Sequence, residues 1–135
     1  MSWQTSHVTY HRTFDHEKLD VYRLAIDFQS WLAQLLENGS LTGPRLSALK
    51  HLDDASTSIS NNIAEGNGKR SPADRSRFLD ISRGSALECA ACIDVLVARK
   101  RLDLRTAQEG KAILVRIVSM LVKLTEKLMG PGSFG

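Results

Sequence analysis

The sequence predicts an all-α chain folded as an up-down-up-down antiparallel four-helix bundle, and three observations carry that expectation. Four long stretches, approximately 17–37, 45–65, 73–100 and 103–129, repeat apolar residues at helical spacing with almost no strand signal. The three prolines, Pro44, Pro72 and Pro131, each sit beside glycine or serine between or after those stretches, where proline starts or stops a helix. The connections are short, so neighbouring helices must run antiparallel. A chain of 135 residues, 42% hydrophobic and 24% charged, has the size and balance of one globular domain. That size leaves little room for a cofactor domain beside a substrate domain.

Residues 1–16 show no sustained period and hold His7, His11 and His16, so they read as an irregular N-terminal arm. The bundle itself is expected over 17–130, with a loose tail at 131–135. In the first helix Leu19, Tyr22, Ile26, Gln29, Leu32 and Leu36 form a stripe, which Ala25 and Leu35 widen. Val21, Phe28 and Trp31 fall off that stripe, and a second apolar face of such large side chains points to a homo-oligomer interface.

The second helix has a seam of Leu49, Leu52, Ser56, Ile59 and Ile63, at alternating steps of three and four. Ser56, Ser58, Ser60, Asn61 and Asn62 make it a poor intrinsic helix former. These residues either face another helix or form an exposed polar strip, and periodicity leaves both readings open. In the third helix Phe78, Ile81, Ser85, Glu88, Cys92 and Val95 repeat the same steps, which sets Glu88 on a core seam. A buried carboxylate needs hydrogen-bond partners. The fourth helix offers Ile113, Ile117, Met120 or Leu121, Leu124 and Leu128.

Several kinds of chemistry lack their requirements. The longest apolar stretches, such as 95–98, span a few residues, so no membrane helix is expected. The N-terminus lacks a basic start followed by an apolar stretch, and two cysteines cannot make a disulfide framework; a cytoplasmic setting is expected. Cys89 and Cys92 form a C-x-x-C pair, but deep inside a helix and without further cysteines they read as small core thiols. No Glu-x-x-His pair exists for a di-metal site, and His51 is the only histidine inside an expected helix. Glu65 and Glu88 are the carboxylates with which acid–base work would have to be done, yet neither nucleophile nor metal accompanies them. The expectation is therefore no enzyme, no cofactor and no metal.

Charge is unevenly placed. Residues 1–66 carry 5 Lys and Arg against 8 Asp and Glu, whereas residues 67–135 carry 13 against 7. Lys69, Arg70, Arg75 and Arg77 cluster at the turn between helices two and three, and Arg99, Lys100, Arg101 and Arg105 cluster at the next turn. Cations at a helix C-terminus complement the macrodipole, which accounts for 99–101. Arg75 and Arg77 begin a helix, where cations are disfavoured, so phosphate contact is the sharper reading for 69–77. No aromatic residue interleaves the segment before Phe78, so base stacking is not indicated.

Three segments carry a family resemblance. Phe14, Leu19, Val21 and Tyr22, then S-I-x-x-N-I-A-E-G at 58–66, then R-F-x-x-I-S-x-G-S-A-x-E at 77–88 together resemble the four-helix-bundle proteins encoded in 23S rRNA intervening sequences. The matching pattern positions include Asn62, Glu65, Gly66, Phe78, Gly84, Ser85 and Glu88, read as structural, with Gly84 admitting a neighbouring backbone. The resemblance extends to the Avd accessory proteins of diversity-generating retroelements, which act beside a reverse transcriptase and template RNA. It implies a small bacterial protein, a homopentameric ring and no catalytic residues. The expected function is a non-enzymatic oligomeric helical scaffold that binds RNA or DNA, or a nucleic-acid enzyme such as a reverse transcriptase, through its basic surfaces. The alternative is a protein-interaction module with no nucleic-acid role.

Overall fold

Helix signals at the predicted boundaries produce four α-helices in the computed structural model, which describes residues 14–44 and 46–130. They are α1 (Asp20–Glu37), α2 (Ser47–Asn67), α3 (Pro72–Ala98) and α4 (Leu104–Met129), preceded by a 3-10 turn at Asp15–Lys18 that packs on α1 and α2. The segment from Asp15 thus joins the bundle rather than the arm. Residues 1–13, with His7 and His11, and the expected tail at 131–135 lie outside the described residues. Helix α3 starts where Ser71 Oγ accepts from the Asp74 amide at 3.1 Å and Pro72 occupies the first turn. Helix α4 starts on Asp103, whose carboxylate accepts from the Thr106 amide at 3.2 Å, and hydrogen bonding from the Thr106 side chain and then its amide holds the pKa below the usual value.

Each helix packs beside two others in the ring α1–α2–α3–α4–α1, and the backbones of the diagonal pairs stand farther apart. This is a roughly square antiparallel bundle. Its core takes Phe28, Leu32, Leu52, Ile59, Ile63, Ile93, Ile117 and Leu121, all nearly inaccessible to solvent. The seam expected for α2 packs, with Leu49 half-buried, whereas that of α4 is buried only at Ile117 and Leu121, and Leu114 and Thr125 take the core beside half-buried Ile113, Leu124 and Leu128.

Two expected stripes are out of phase. In α1 the core takes Val21 and Phe28 themselves, and half-buried Trp31 stacks on Phe28 with ring centroids 5.3 Å apart. They form no second face. Trp31 instead lies across Gly110 of α4, where an added Cβ would stand 2.5 Å from the indole ring. In α3 the core side is Leu79, Ser82, Ala86, Cys89, Ile93 and Leu96, whereas Ile81, Glu88 and Val95 are exposed. Glu88 is thus not a buried carboxylate. The stripe is out of phase because α3 carries large apolar residues on its outer side as well as its inner one and sets Ser82 and Ala86 inward.

Small inward residues let α2 and α3 approach closely. Ser82 Oγ donates to the Ile59 carbonyl at 2.8 Å, Ser85 Oγ to Ser58 Oγ at 2.8 Å, and the Cys89 thiol lies 3.8 Å from the Leu52 carbonyl. Asn62 donates back to the Ser58 carbonyl at 2.8 Å, while Asn61 is exposed. Both readings of the polar run are thus partly realised. The closest approach is at Gly66, where a Cβ would come within 2.8 Å of Phe78 Cβ and 3.2 Å of the Arg75 carbonyl. Gly84, expected to admit a neighbour, has nothing within 4 Å of that position.

At its other end α3 closes with the Arg101 amide on the Leu96 carbonyl at 2.8 Å and the Lys100 amide on Val97 at 2.9 Å. This geometry places Lys100 at φ 60°, the left-handed region that glycine prefers. Lys100→Gly should therefore stabilise the bundle by about 0.5–1 kcal/mol, and Gly66→Ala should destabilise it by about 1–3 kcal/mol through overpacking. Urea denaturation checks both signs.

Burial pushes the Cys89 thiol up to about 12, helped by the neighbouring Cys92 and Glu88. It is therefore an inert core thiol rather than a redox group. A raised folded-state pKa favours folding below the unfolded thiol value near 9, and that contribution is lost as pH rises towards 12. Stability should fall across this window by up to about 1.4 kcal/mol per pH unit for this group. Thermal melts of the parent and of Cys89→Ala, compared over that range, isolate the slope.

Candidate nucleic-acid interface

The tight α2–α3 turn gathers the first basic cluster on rigid backbone. Gly68 and Lys69 amides close it on the Ala64 and Gly66 carbonyls at 3.3 and 3.1 Å. Arg75 then folds back from α3: its Nε donates to the Lys69 carbonyl at 2.9 Å and its Nη2 to the Asn67 carbonyl at 2.7 Å. A cation at a helix start is explained here by the last carbonyls of the preceding helix, which need donors. Arg75 thus holds the turn and is not an open phosphate contact.

The remaining cations are arranged differently. Lys69 Nζ lies 5.0 Å and Arg77 Cζ 4.6 Å from the centroid of the half-buried Phe78 ring, so one aromatic face orients two positive charges. Arg70 and Arg77 are exposed and Lys69 is half-buried. All three surround the N-terminus of α3, whose dipole adds positive potential. Phe78 therefore acts as a platform for cations. This use of the ring was missed in the sequence because Phe78 was assigned to the core seam.

The second cluster lies at the opposite end of α3, about 40 Å away for its 27 residues. Arg99, Lys100 and Arg105 are exposed. Arg101 is half-buried, its guanidinium laid over Gly43 while its carbonyl accepts from the Thr42 amide at 3.1 Å. It ties the α1–α2 connection to the α3–α4 turn. The structure therefore forms two separate basic ends, and at each one arginine is committed to the fold.

Glu65, Glu88 and His51 are each exposed and lie along the outside of α2 and α3. His16 stacks with Phe14 at 5.7 Å and meets Tyr22 edge-on at 4.6 Å. Among the described residues no group of three or more His, Cys, Asp or Glu could hold a metal ion. No helix among them is long and apolar enough to cross a membrane.

The pattern residues Ser58, Asn62, Glu65, Phe78, Ser85 and Glu88 share one side of the molecule, bridged across α2 and α3 by the Ser85–Ser58 hydrogen bond. No curated protein matches the chain. A crystal structure of a protein of unknown function from the S23 ribosomal protein family of Bacteroides thetaiotaomicron has the same fold, with a TM-score of 0.68. It is 18% identical, and the match covers 78% of this chain and 98% of that one. The family model described as 23S rRNA-intervening sequence protein matches residues 17–123, the whole of α1 to α3 and most of α4, so the chain belongs to that family.

Proposed function

We propose that this protein is a non-enzymatic, self-associating helical scaffold that binds structured RNA through phosphate contacts at the α2–α3 end of the bundle. The observation that carries this reading is the pair of cations, Lys69 and Arg77, fixed over the Phe78 ring beside exposed Arg70. Side chains already ordered lose less entropy on meeting phosphate than freely rotating ones. Phosphate contacts position a protein without reading sequence, so binding should be indifferent to base order. The family's description, with its reference to 23S rRNA, supports an RNA rather than a DNA partner. Resemblance to the Avd proteins extends the proposal to a ring of five subunits working beside a reverse transcriptase. A ring repeats the cluster on every subunit and so raises the effective concentration of weak sites.

Replacing Lys69, Arg70 and Arg77 together with glutamine, and leaving Arg75 to hold the turn, tests this directly. Helix content and assembly should persist, because none of the three is buried in the core. Affinity for RNA should fall on every sequence tried, and the slope of log affinity against log salt should flatten by up to about three per binding subunit. The matching variant at Arg99, Lys100 and Arg105 reports on the far end. Unchanged affinity in both variants, or a parent that binds no RNA at low salt, would leave the protein-interaction reading in its place.

A further inference from the structure

Turns favour small and polar residues, yet the connection from α1 to α2, residues 38–46, carries Leu41 and Leu46. Both are half-buried, and they border a pocket of about 190 Å³ together with Leu36 of α1, Leu49 of α2 and Leu96 of α3. Thr42 fixes the connection over the α3–α4 turn. Its amide donates to the Arg101 carbonyl at 3.1 Å and its hydroxyl to the Lys100 carbonyl at 3.3 Å. The next residue, Gly43, stands at φ 74°, and a Cβ there would overlap Arg101 Nη1. Glycine at 43 thus serves twice, for the turn of the chain and for the guanidinium lying across it.

Among the described residues Arg101 brings the only charge to the wall of this pocket. Its Nε is buried and meets no hydrogen-bond acceptor. All 15 Asp and Glu residues of the chain are among those described, and none of them pairs with it. A guanidinium keeps its charge at any physiological pH and carries five donors, so away from bulk water it needs an anion beside it. Helix α2 begins at the same pocket, and its N-cap residue, Leu46, offers no side-chain acceptor to the first amides. The positive end of that helix dipole therefore adds to the Arg101 charge. Exposed Arg99, Lys100 and Arg105 raise the potential of this end further.

Aliphatic walls with a fixed cation and no anion of their own select one kind of ligand, an anion with an aliphatic tail. A sugar–phosphate strand has no alkyl group to lay on leucine, and an alkylammonium meets like charge. The volume of 190 Å³ limits the tail, since at about 30 Å³ for each water-sized group it holds about six of them. We propose that this pocket binds a free aliphatic monocarboxylate of about four to six carbons, its carboxylate on the Arg101 guanidinium and its chain among the leucines. Leu36, 45% exposed, gains cover from the bound chain. The pocket lies at the far end of α3 from Lys69, Arg70 and Arg77, so the inference depends neither on RNA nor on self-association.

Titration of the whole protein, its leucine methyl groups isotope-labelled for nuclear magnetic resonance, decides it. The probes are hexanoate, hexylammonium, hexanol and acetate. Hexanoate should shift the methyl signals of Leu36, Leu46, Leu49 and Leu96 saturably, with a Kd of about 1 mM, as suits so small a ligand. Hexylammonium should bind about tenfold more weakly for its charge, and acetate likewise for want of a chain. Arg101→Met keeps an aliphatic stem without the charge. Its affinity for hexanoate should fall by about tenfold or more, while its affinity for hexanol should hold or rise. The order of affinities in the parent decides the matter even if that variant fails to fold. No saturable shift at these leucines, hexylammonium equal to hexanoate, acetate equal to hexanoate, or an Arg101→Met variant that still prefers hexanoate to hexanol each overturns the assignment.

Discussion

Serine hydroxyls and a thiol, where most bundles set leucines, line the seam between α2 and α3, and their size sets the distance between the helices. Ser82 reaches the Ile59 carbonyl, Cys89 approaches that of Leu52, and Gly66 leaves no room for a methyl group beside Phe78. Each contact joins a side chain to the neighbouring backbone, which is possible only when backbones are near. Buried hydroxyls are tolerable because they are paired; an unpaired one would cost about 1–3 kcal/mol. Large residues of α3 enter the core at Leu79, Ile93 and Leu96, on either side of Ser82, Ala86 and Cys89, while Ile81, Leu87 and Val95 stand on the outside.

The arrangement of cations at the α2–α3 end follows from the same constraint. With α2 and α3 joined by a short turn, the last carbonyls of α2 lie within reach of the first residues of α3, and Arg75 takes them. Phe78 is held at the crossing by Gly66, so its ring stays in place for Lys69 and Arg77. One arginine becomes structural and two cations become ordered. Unordered lysines elsewhere on the surface would lack that arrangement. A scaffold that binds phosphate needs no more chemistry than this, and repetition around a ring would supply the strength that one cluster lacks.

Helix number, order and approximate ends were legible because proline, glycine and capping residues mark boundaries locally. The α2 seam was legible because that helix has a single dominant stripe, and in α4 the stripe was right at Ile117 and Leu121 but missed Leu114 and Thr125. Phase failed in α1 and α3, where apolar residues occupy more than one side and periodicity cannot say which side is inward. In α3 apolar residues stand on the core side, at Leu79, Ile93 and Leu96, and on the outer side, at Ile81, Leu87 and Val95, so periodicity alone does not separate the two. In α1 Phe28 enters the core, and Gly110, 79 residues past Trp31 in the chain, makes room for the indole, a contact that periodicity within α1 does not encode. The basic clusters were legible as composition. Which cation serves the fold and which is presented to solvent was not, because that depends on carbonyls brought near by tertiary contact.

Native-state hydrogen exchange tests the primacy of the α2–α3 seam most directly. If the seam is the structure's foundation, amides around Ile59 and Ile63 and around Ser82, Ala86 and Cys89 should exchange only through global unfolding. Those of α1, which packs less extensively on both its neighbours, should exchange through smaller openings. Slowest exchange in α1 and α4, with α2 and α3 opening first, would contradict the account.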